Sequence, residues 1–255
     1  MTTPLLIEDT NVSKAWIRVL EHIIDNNGKE ICPLVLSITE FNEDISFQET
    51  LNLNLASSQL DAVQTVSETI FPKSLYIYCK ENRFALYKEY KKNFPRIQKI
   101  NPSNRNGTYF QRLISFDGSD KKINQLEIII SSLQEGATVK RRSKLQASIF
   151  NPEKDHSDAM YQGFPCLQHV TFYKTQNNGL ILNSFYAIQH LYRRAYGNWI
   201  GLINLGMFIA KESNLNFERF NCYIGVEQLD RLTKSEAKKL LQKLKDNSLE
   251  NVFIS

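Results

Sequence analysis

Between Asn198 and Glu212 the chain reads NWIGLINLGMFIAKE, apolar on nearly every side of the helix that its spacing predicts. Such a helix cannot lie on a surface and has to be enclosed by other elements. The flanking sequence supplies strands to do it. Asn177-Asn178-Gly179 separates two alternating segments, Leu167–Lys174 and Leu180–Leu191, and an Asn-Gly turn in that setting predicts a hairpin. Asn221–Leu229 predicts a further strand after the helix. With 255 residues, 42% of them hydrophobic, one domain spanning 1–255 around one sizeable core is expected, with residues 1–12 a loosely ordered lead-in.

The rest of the chain predicts a mixture of elements. Ala15, Trp16, Val19, Leu20, Ile23 and Ile24 form one face of a helix from Ser13 to Asn26, with Ser13 as its cap. Glu30–Glu40 and Phe47–Leu55 predict strands, the second because LNLNL alternates with period two. Gln59–Leu75 predicts a helix that Pro72 breaks or kinks. Tyr76–Arg96 interleaves Tyr and Lys, a pattern that can stack bases but also fits an amphipathic helix whose lysines snorkel. Asn101–Gly107 predicts a loop, Ile123–Leu133 a helix, Lys144–Phe150 a strand, and Ser235–Lys245 a solvated basic helix capped by Ser235.

Charge and cysteine content narrow the function classes. A net charge of +4 is well short of a nucleic-acid-coating protein and suits an anionic small molecule. No segment approaches the ~18–20 apolar residues of a membrane span. Cys32, Cys79, Cys166 and Cys222 lie far apart without a CxxC pair, which argues against a metal site or a disulfide scaffold. Reduced thiols in a cytoplasmic protein are expected.

The chemistry-bearing residues cluster between Lys140 and Asn198. Arg141 and Arg142 offer paired guanidinium forks, which match phosphate oxygens bidentately. Cys166 follows Pro165 at the entrance of a strand, and a thiolate flanked by arginines is a better-populated nucleophile. Taken singly, each has a plainer reading: a solvated basic turn, a small buried residue, and for Asn198 a helix N-cap. Glu68, in an otherwise apolar helix, is either solvated or a buried general acid.

Their order and spacing resemble the thymidylate synthase family, which includes the pyrimidine-nucleotide hydroxymethylases. That family has a paired Arg in an SRR strand, then a Pro-Cys, a hairpin strand with RSxD, and a helix opening with Asn. Here Cys166 stands 24 positions after Arg142. Glu68-Thr69-Ile70-Phe71 resembles the family's ELLWF, Tyr109-Phe110-Gln111-Arg112-Leu113 its YG-x-x-(W/L)R, and Asn124-Gln125-Leu126 part of its DQ helix. The resemblance runs from Ser13 to about Leu229 and is most specific between Arg141 and Asn198.

The resemblance implies an α+β fold, a large mixed sheet packed against helices and dimerising through the sheet. It implies a homodimer with shared active sites, in which Arg141 and Arg142 hold the phosphate of the partner's nucleotide-like substrate. Cys166 would add to C6 of a pyrimidine-type ring and Glu68 would assist proton transfer. Asn198 would read the ring's O4 and N3 edge, and a methyl or hydroxymethyl group would pass to C5 from 5,10-methylenetetrahydrofolate. The substrate and cofactor shells depart from the pattern. RSxD falls on Ala187, Ile188, Gln189 and His190, so the pterin-binding Asp is replaced by His190. Arg193 and Arg194 are candidates to supply phosphate contacts from a shifted position. The early Arg of the family's DRTGT-like loop has no counterpart in GKEICPLVLSITEF, Leu167 and Thr171 replace a His and a Gln, and Gly225-Val226-Glu227-Gln228 replaces GD-x-H-x-Y. Three readings follow: an active folate-assisted family member, a reshaped enzyme acting without folate on a different substrate, and a non-catalytic dimeric binding protein of the same fold.

Overall fold

The computed structural model describes residues 3–118, 121–134, 141–158 and 164–250. The chain opens with strand β1 (Leu5–Asn11), which pairs in parallel with a later strand and is no loose lead-in. Helix α1 (Val12–Asp25) follows, capped by the Asn11 side chain rather than by Ser13. Ser13 is buried instead, its Oγ 2.9 Å from the Tyr196 hydroxyl. Strands β2 (Glu30–Ile31) and β3 (Leu34–Asn42) come next.

The segment expected as a strand at Phe47–Leu55 is helix α2 (Ile45–Ser57). Asp44 caps it by accepting from the N–H groups of Ser46 and Phe47. Phe47, Leu51 and Leu55, four apart, are buried, while Leu53 is 75% exposed. Helical spacing therefore decides which leucines are inside, and the period-two pattern is incidental.

Short helices α3 (Val63–Glu68) and α4 (Lys73–Tyr78) divide the expected Gln59–Leu75 helix at the turn before Pro72. Helix α5 (Arg83–Ile100) follows a break at Lys80 and Glu81, both with positive φ. Tyr76, Tyr87 and Tyr90 are core residues, so most tyrosines of this run pack inward, while Tyr78 and Phe84 stay exposed. Helix α6 (Tyr109–Ile114), the two-residue strands β4 (Phe116–Asp117) and β5 (Lys122–Ile123), and helix α7 (Gln125–Leu133) complete this half.

Beyond it, Arg142–Lys144 form a 3-10 turn and the expected strand shrinks to β6 (Gln146–Ser148), followed by one turn of helix α8 (Pro152–Asp155). The hairpin is β7 (Leu167–Lys174) and β8 (Gly179–His190), with Asn178 at φ 58 in its turn. A wide π-type turn, Leu191–Ala195, leads into helix α9 (Tyr196–Glu212). Strand β9 (Asn216–Gln228) and helix α10 (Lys234–Glu250) close the chain. The cap of α10 is Thr233, not Ser235: the Thr233 hydroxyl accepts from Glu236 N–H while the Glu236 carboxylate accepts from Thr233 N–H. Ala237, Leu240 and Leu244 bury one stripe of α10, so it is more than a solvated appendage.

The fold is α+β, built on one large mixed sheet of order β1-β3-β9-β8-β7-β6 with β2 beside β9. The pairs β1–β3 and β8–β9 are parallel, and β3–β9, β7–β8 and β6–β7 antiparallel. Leu34, Leu36 and Ile38 of β3, Leu180 and Leu182 of β8, and Phe220, Cys222 and Ile224 of β9 point into the core. Alternate residues such as Val35, Asn183, Phe185 and Tyr223 stay partly open on the opposite face. Helix α9 is enclosed as its composition requires, with Trp199 and Leu202 fully buried. Two glycines let α3 lie directly against it. A Cβ on Gly197 would come within 2.7 Å of Val66 Cβ, and one on Gly201 within 2.8 Å of the Ser67 carbonyl. Among the described residues no helix is long and apolar enough to cross a membrane.

Candidate functional site

A cavity of about 590 Å³ opens between α3, the Pro102–Thr108 loop and the far end of β8. That volume is in the range of small-molecule sites. Helix α3 contributes Val66 and Thr69, and the loop contributes Arg105 and Gly107. Gly107, at φ 114, allows the loop to turn beside Gln111 and Arg112. Tyr109, Phe164 and Cys166 form one wall, and Tyr186, Ile188, Gln189 and His190 the floor. Arg193, Arg194 and Asn198 line the side where the π-type turn runs into α9.

Cys166 is held by its backbone. Its carbonyl accepts from Ala187 N–H at 3.1 Å and from the Gln168 amide at 3.2 Å, leaving the side chain to the cavity. Burial pushes the thiol above its ordinary pKa, while the guanidiniums of Arg193 and Arg194 pull it back. Tyr109 lines the cavity beside it, and burial, with the neighbouring Cys166 thiol adding to the effect, keeps its hydroxyl protonated.

The cations have unequal freedom. Arg193 lies 2.7 Å from Asp230 and Arg194 3.0 Å from Asp61. Arg105 has no acidic partner among the described residues, and Gln98 pins its loop by donating to the carbonyls of Asn104 and Arg105. His190 lies 3.8 Å from Asp230; burial, then the charge of Arg193, lowers its pKa and favours the neutral imidazole. Asn198 is 4% exposed and sits inside the first turn of α9, so it is not the cap residue. Gln189, which accepts from the Trp199 indole N–H at 2.9 Å, completes the floor.

Of the residues singled out by sequence, Cys166, Asn198 and His190 thus line one cavity. Glu68 does not join them. Its carboxylate accepts from Gln64 at 2.7 Å and from the Ser74 hydroxyl at 2.8 Å, turned away from the face of α3 that carries Val66 and Thr69. Arg141 and Arg142 are exposed at the start of β6 and do not line the cavity of their own chain. The Arg142 guanidinium lies over the Tyr173 ring, 5.1 Å from its centroid. Sequence reasoning passed over Tyr186, although the phase of Leu180, Leu182 and Ser184 along β8 points it inward. It also passed over Arg105, for which composition gave no signal.

No protein-family model matches the chain. Over 111 residues it is 32% identical to the protein named "Putative thymidylate synthase" of Methanocaldococcus jannaschii. The match covers 43% of this chain and 48% of that protein, so it spans about half the length of the curated relative. That is a similarity over part of the chain to a protein carrying a thymidylate synthase name.

The pterin of a folate would need an anionic or accepting partner where the resemblance places an Asp. The cavity lining holds no carboxylate among the described residues. His190, hemmed by Arg193 and Asp230, offers a neutral ring instead. The lining thus offers that group neutral acceptors, His190 and Asn198, in place of an anion.

Proposed function

We propose that this chain is a thymidylate synthase-like enzyme whose Cys166 adds to a pyrimidine-type ring carried by an anionic, nucleotide-like substrate. The observation that carries this reading is that Cys166, Tyr109, Asn198 and three guanidiniums line one cavity. The Cys166 thiolate attacks the electron-poor ring carbon conjugated to a carbonyl. The ring's double-bond pair moves toward the carbonyl oxygen, and the adjacent carbon becomes enolate-like. That carbon takes a proton, and reversal expels the thiolate and releases the hydrogen first bound there. Tyr109 is the protonated group beside the sulfur and is placed to pass the proton. Arg105, Arg193 and Arg194 supply the positive field for the anionic group. The lack of a carboxylate at the pterin position favours the folate-free version of this chemistry, in which the ring carbon exchanges its hydrogen and receives no one-carbon unit.

A homodimer with shared sites belongs to the same proposal. The open face of the sheet carries His169, Phe185 and Tyr223 in a stacked row, with centroid spacings of 5.7 and 5.4 Å. Tyr173, beneath Arg142, falls in the same phase of β7. In this proposal a second copy covers this face, as the resemblance implies, and Arg142 serves the partner's cavity.

Release of tritium from 5-tritiated dUMP, dCMP, UMP and CMP tests the chemistry. Exchange with at least one of them, abolished in Cys166→Ser, is expected; no exchange from any of the four would remove the reading. For the dimer, mixing Cys166→Ser with Arg142→Ala protein should restore part of the exchange, because one hybrid site is then intact. A sedimentation coefficient of a monomer, with no restoration on mixing, counts against shared sites.

A further inference from the structure

The reaction proposed for Cys166 leaves one proton without a taker. When the enolate-like ring carbon accepts a proton from Tyr109 it becomes tetrahedral, with the new hydrogen on one face of the ring and the original on the other. A group confined to its own face can only take back the hydrogen it has just delivered, and nothing is exchanged. Tyr109 shares a wall with Cys166. Net exchange therefore needs a second base, reaching the ring from elsewhere in the cavity.

The lining offers one. Arg105, Arg193 and Arg194 stay protonated at any working pH, and burial keeps the Tyr186 hydroxyl protonated. Among the described residues, His190 is the one lining side chain that holds a basic lone pair at neutral pH. It ends β8 three residues beyond Ala187, whose N–H bonds the Cys166 carbonyl. At about 3.3 Å per residue that is about 10 Å, so sulfur and imidazole stand on two sides of a space for a six-membered ring.

The surroundings of His190 suit a base. Its Nδ1 is buried, and Asp230 Oδ1 stands 3.8 Å from it. The 23% of the side chain that is exposed therefore lies on the other edge, with Nε2. Asp230, left-handed at φ 62 just beyond β9, sets its carboxylate between His190 and Arg193. Burial, with Arg193 and Arg194 of the π-type turn and Arg231 beside Asp230, keeps the ring neutral and able to accept; Asp230 alone favours the imidazolium.

We propose that His190, set by Asp230, is the second base, its Nε2 taking the original hydrogen from the tetrahedral ring carbon as a proton. This rests on the reading of the cavity as a pyrimidine site. The C–H bonding pair returns to the enolate, the ring double bond re-forms, and the carbon–sulfur bond breaks to release the thiolate. The imidazolium then gives its proton to water and Tyr109 takes one from water, which resets both groups. His190 is a catalytic residue and Asp230 a positioning residue.

Tritium release from 5-tritiated dUMP, dCMP, UMP and CMP, followed against pH, tests this. His190→Gln should lower release at least about a hundredfold, within the span of general acid–base catalysis. In the wild type, thiol and imidazole must both lose a proton, so log rate against pH should steepen at low pH from a slope of about one to about two. His190→Gln should lose the steeper limb. Asp230→Asn removes the one charge favouring the imidazolium, so the break should move to lower pH. If His190→Gln does not fold, the break in Asp230→Asn decides. Release and slope unaltered in His190→Gln, or a break unmoved in Asp230→Asn, overturns this inference and leaves the thiol chemistry standing. No release from any of the four nucleotides overturns both.

Discussion

Arg112 and Asp155 form a two-pronged ion pair with both side chains almost wholly buried, Nη2 standing 2.7 Å from Oδ1 and Nη1 3.0 Å from Oδ2. The same guanidinium donates to the Ile149 carbonyl and lies over the Phe164 ring, 5.2 Å from its centroid. It thus ties the loop that carries Arg105 to the segment that delivers Cys166. Replacing Asp155 with Ala leaves a buried cation unpaired, for which the expected loss is about 3–5 kcal/mol. Urea denaturation of Asp155→Ala measures it; a loss under about 1 kcal/mol, the range of surface pairs, would mean that Arg112 is not enclosed.

The thiol of Cys166 should respond to pH as a buried group relieved by cations. Burial raises its pKa and Arg193 and Arg194 oppose that rise. Only the thiolate alkylates. Iodoacetamide labelling of Cys166, followed by peptide mapping, should reach half its maximal rate at a higher pH than an exposed thiol does. Arg194→Leu removes one opposing charge, so its profile should move further alkaline. A shift toward acid would contradict the placement of that guanidinium.

Helices α3 and α9 touch where Gly197 and Gly201 stand. In Gly201→Ala the new methyl meets the Ser67 carbonyl and the Ile70 side chain, at 2.8 and 2.9 Å, and the backbone of α3 has to withdraw. Overpacking of this kind costs about 1–3 kcal/mol. Because Val66 and Thr69 line the cavity, nucleotide affinity should fall with stability, and thermal unfolding with and without nucleotide separates the two effects.

Glu227 gives stability a pH dependence of definite sign. Its folded pKa is well above the ordinary 4.5 because burial disfavours the carboxylate. Below that ordinary value both folded and unfolded chains hold the proton, and nothing is lost. Above it the unfolded chain releases the proton while the folded chain keeps it, so stability declines until pH passes the folded pKa. Glu227→Gln has no such proton. The melting temperature of the variant relative to wild type should therefore climb as pH goes from 4 to 8, and a constant difference would show that Glu227 ionises freely in the folded protein.

What the sequence made legible follows from how local each signal is. Helix α9 and the β7–β8 hairpin were readable because an all-round apolar run and an Asn-Gly turn each exclude other local structures. The run LNLNL was not, since leucines at 51 and 55 satisfy helical spacing as well as alternation, and only the Asp44 cap separates the two. Strand β1 was missed because Leu5–Asn11 becomes a strand by pairing with distant β3, an interaction its own seven residues do not announce. At the site, the order of residues brought Cys166 and Asn198 to one cavity but could not orient Glu68. Helix α3 is six residues long, and which side faces inward is fixed by the glycines of α9. Gln189 was visible only as the unspecified place in a motif, because its meaning comes from an indole ten positions later.

The wide turn at Leu191–Ala195 has a last consequence. It joins the cavity floor to the buried helix without a loop, so Tyr186, Gln189, His190, Arg193, Arg194 and Asn198 ride on one unbroken span of chain. That span is clamped by neighbouring strands at one end and sealed in the core at the other, with no slack to slide or swing. A chain built this way acquires a different ligand by exchanging individual side chains along a rigid rail rather than by rearranging its backbone.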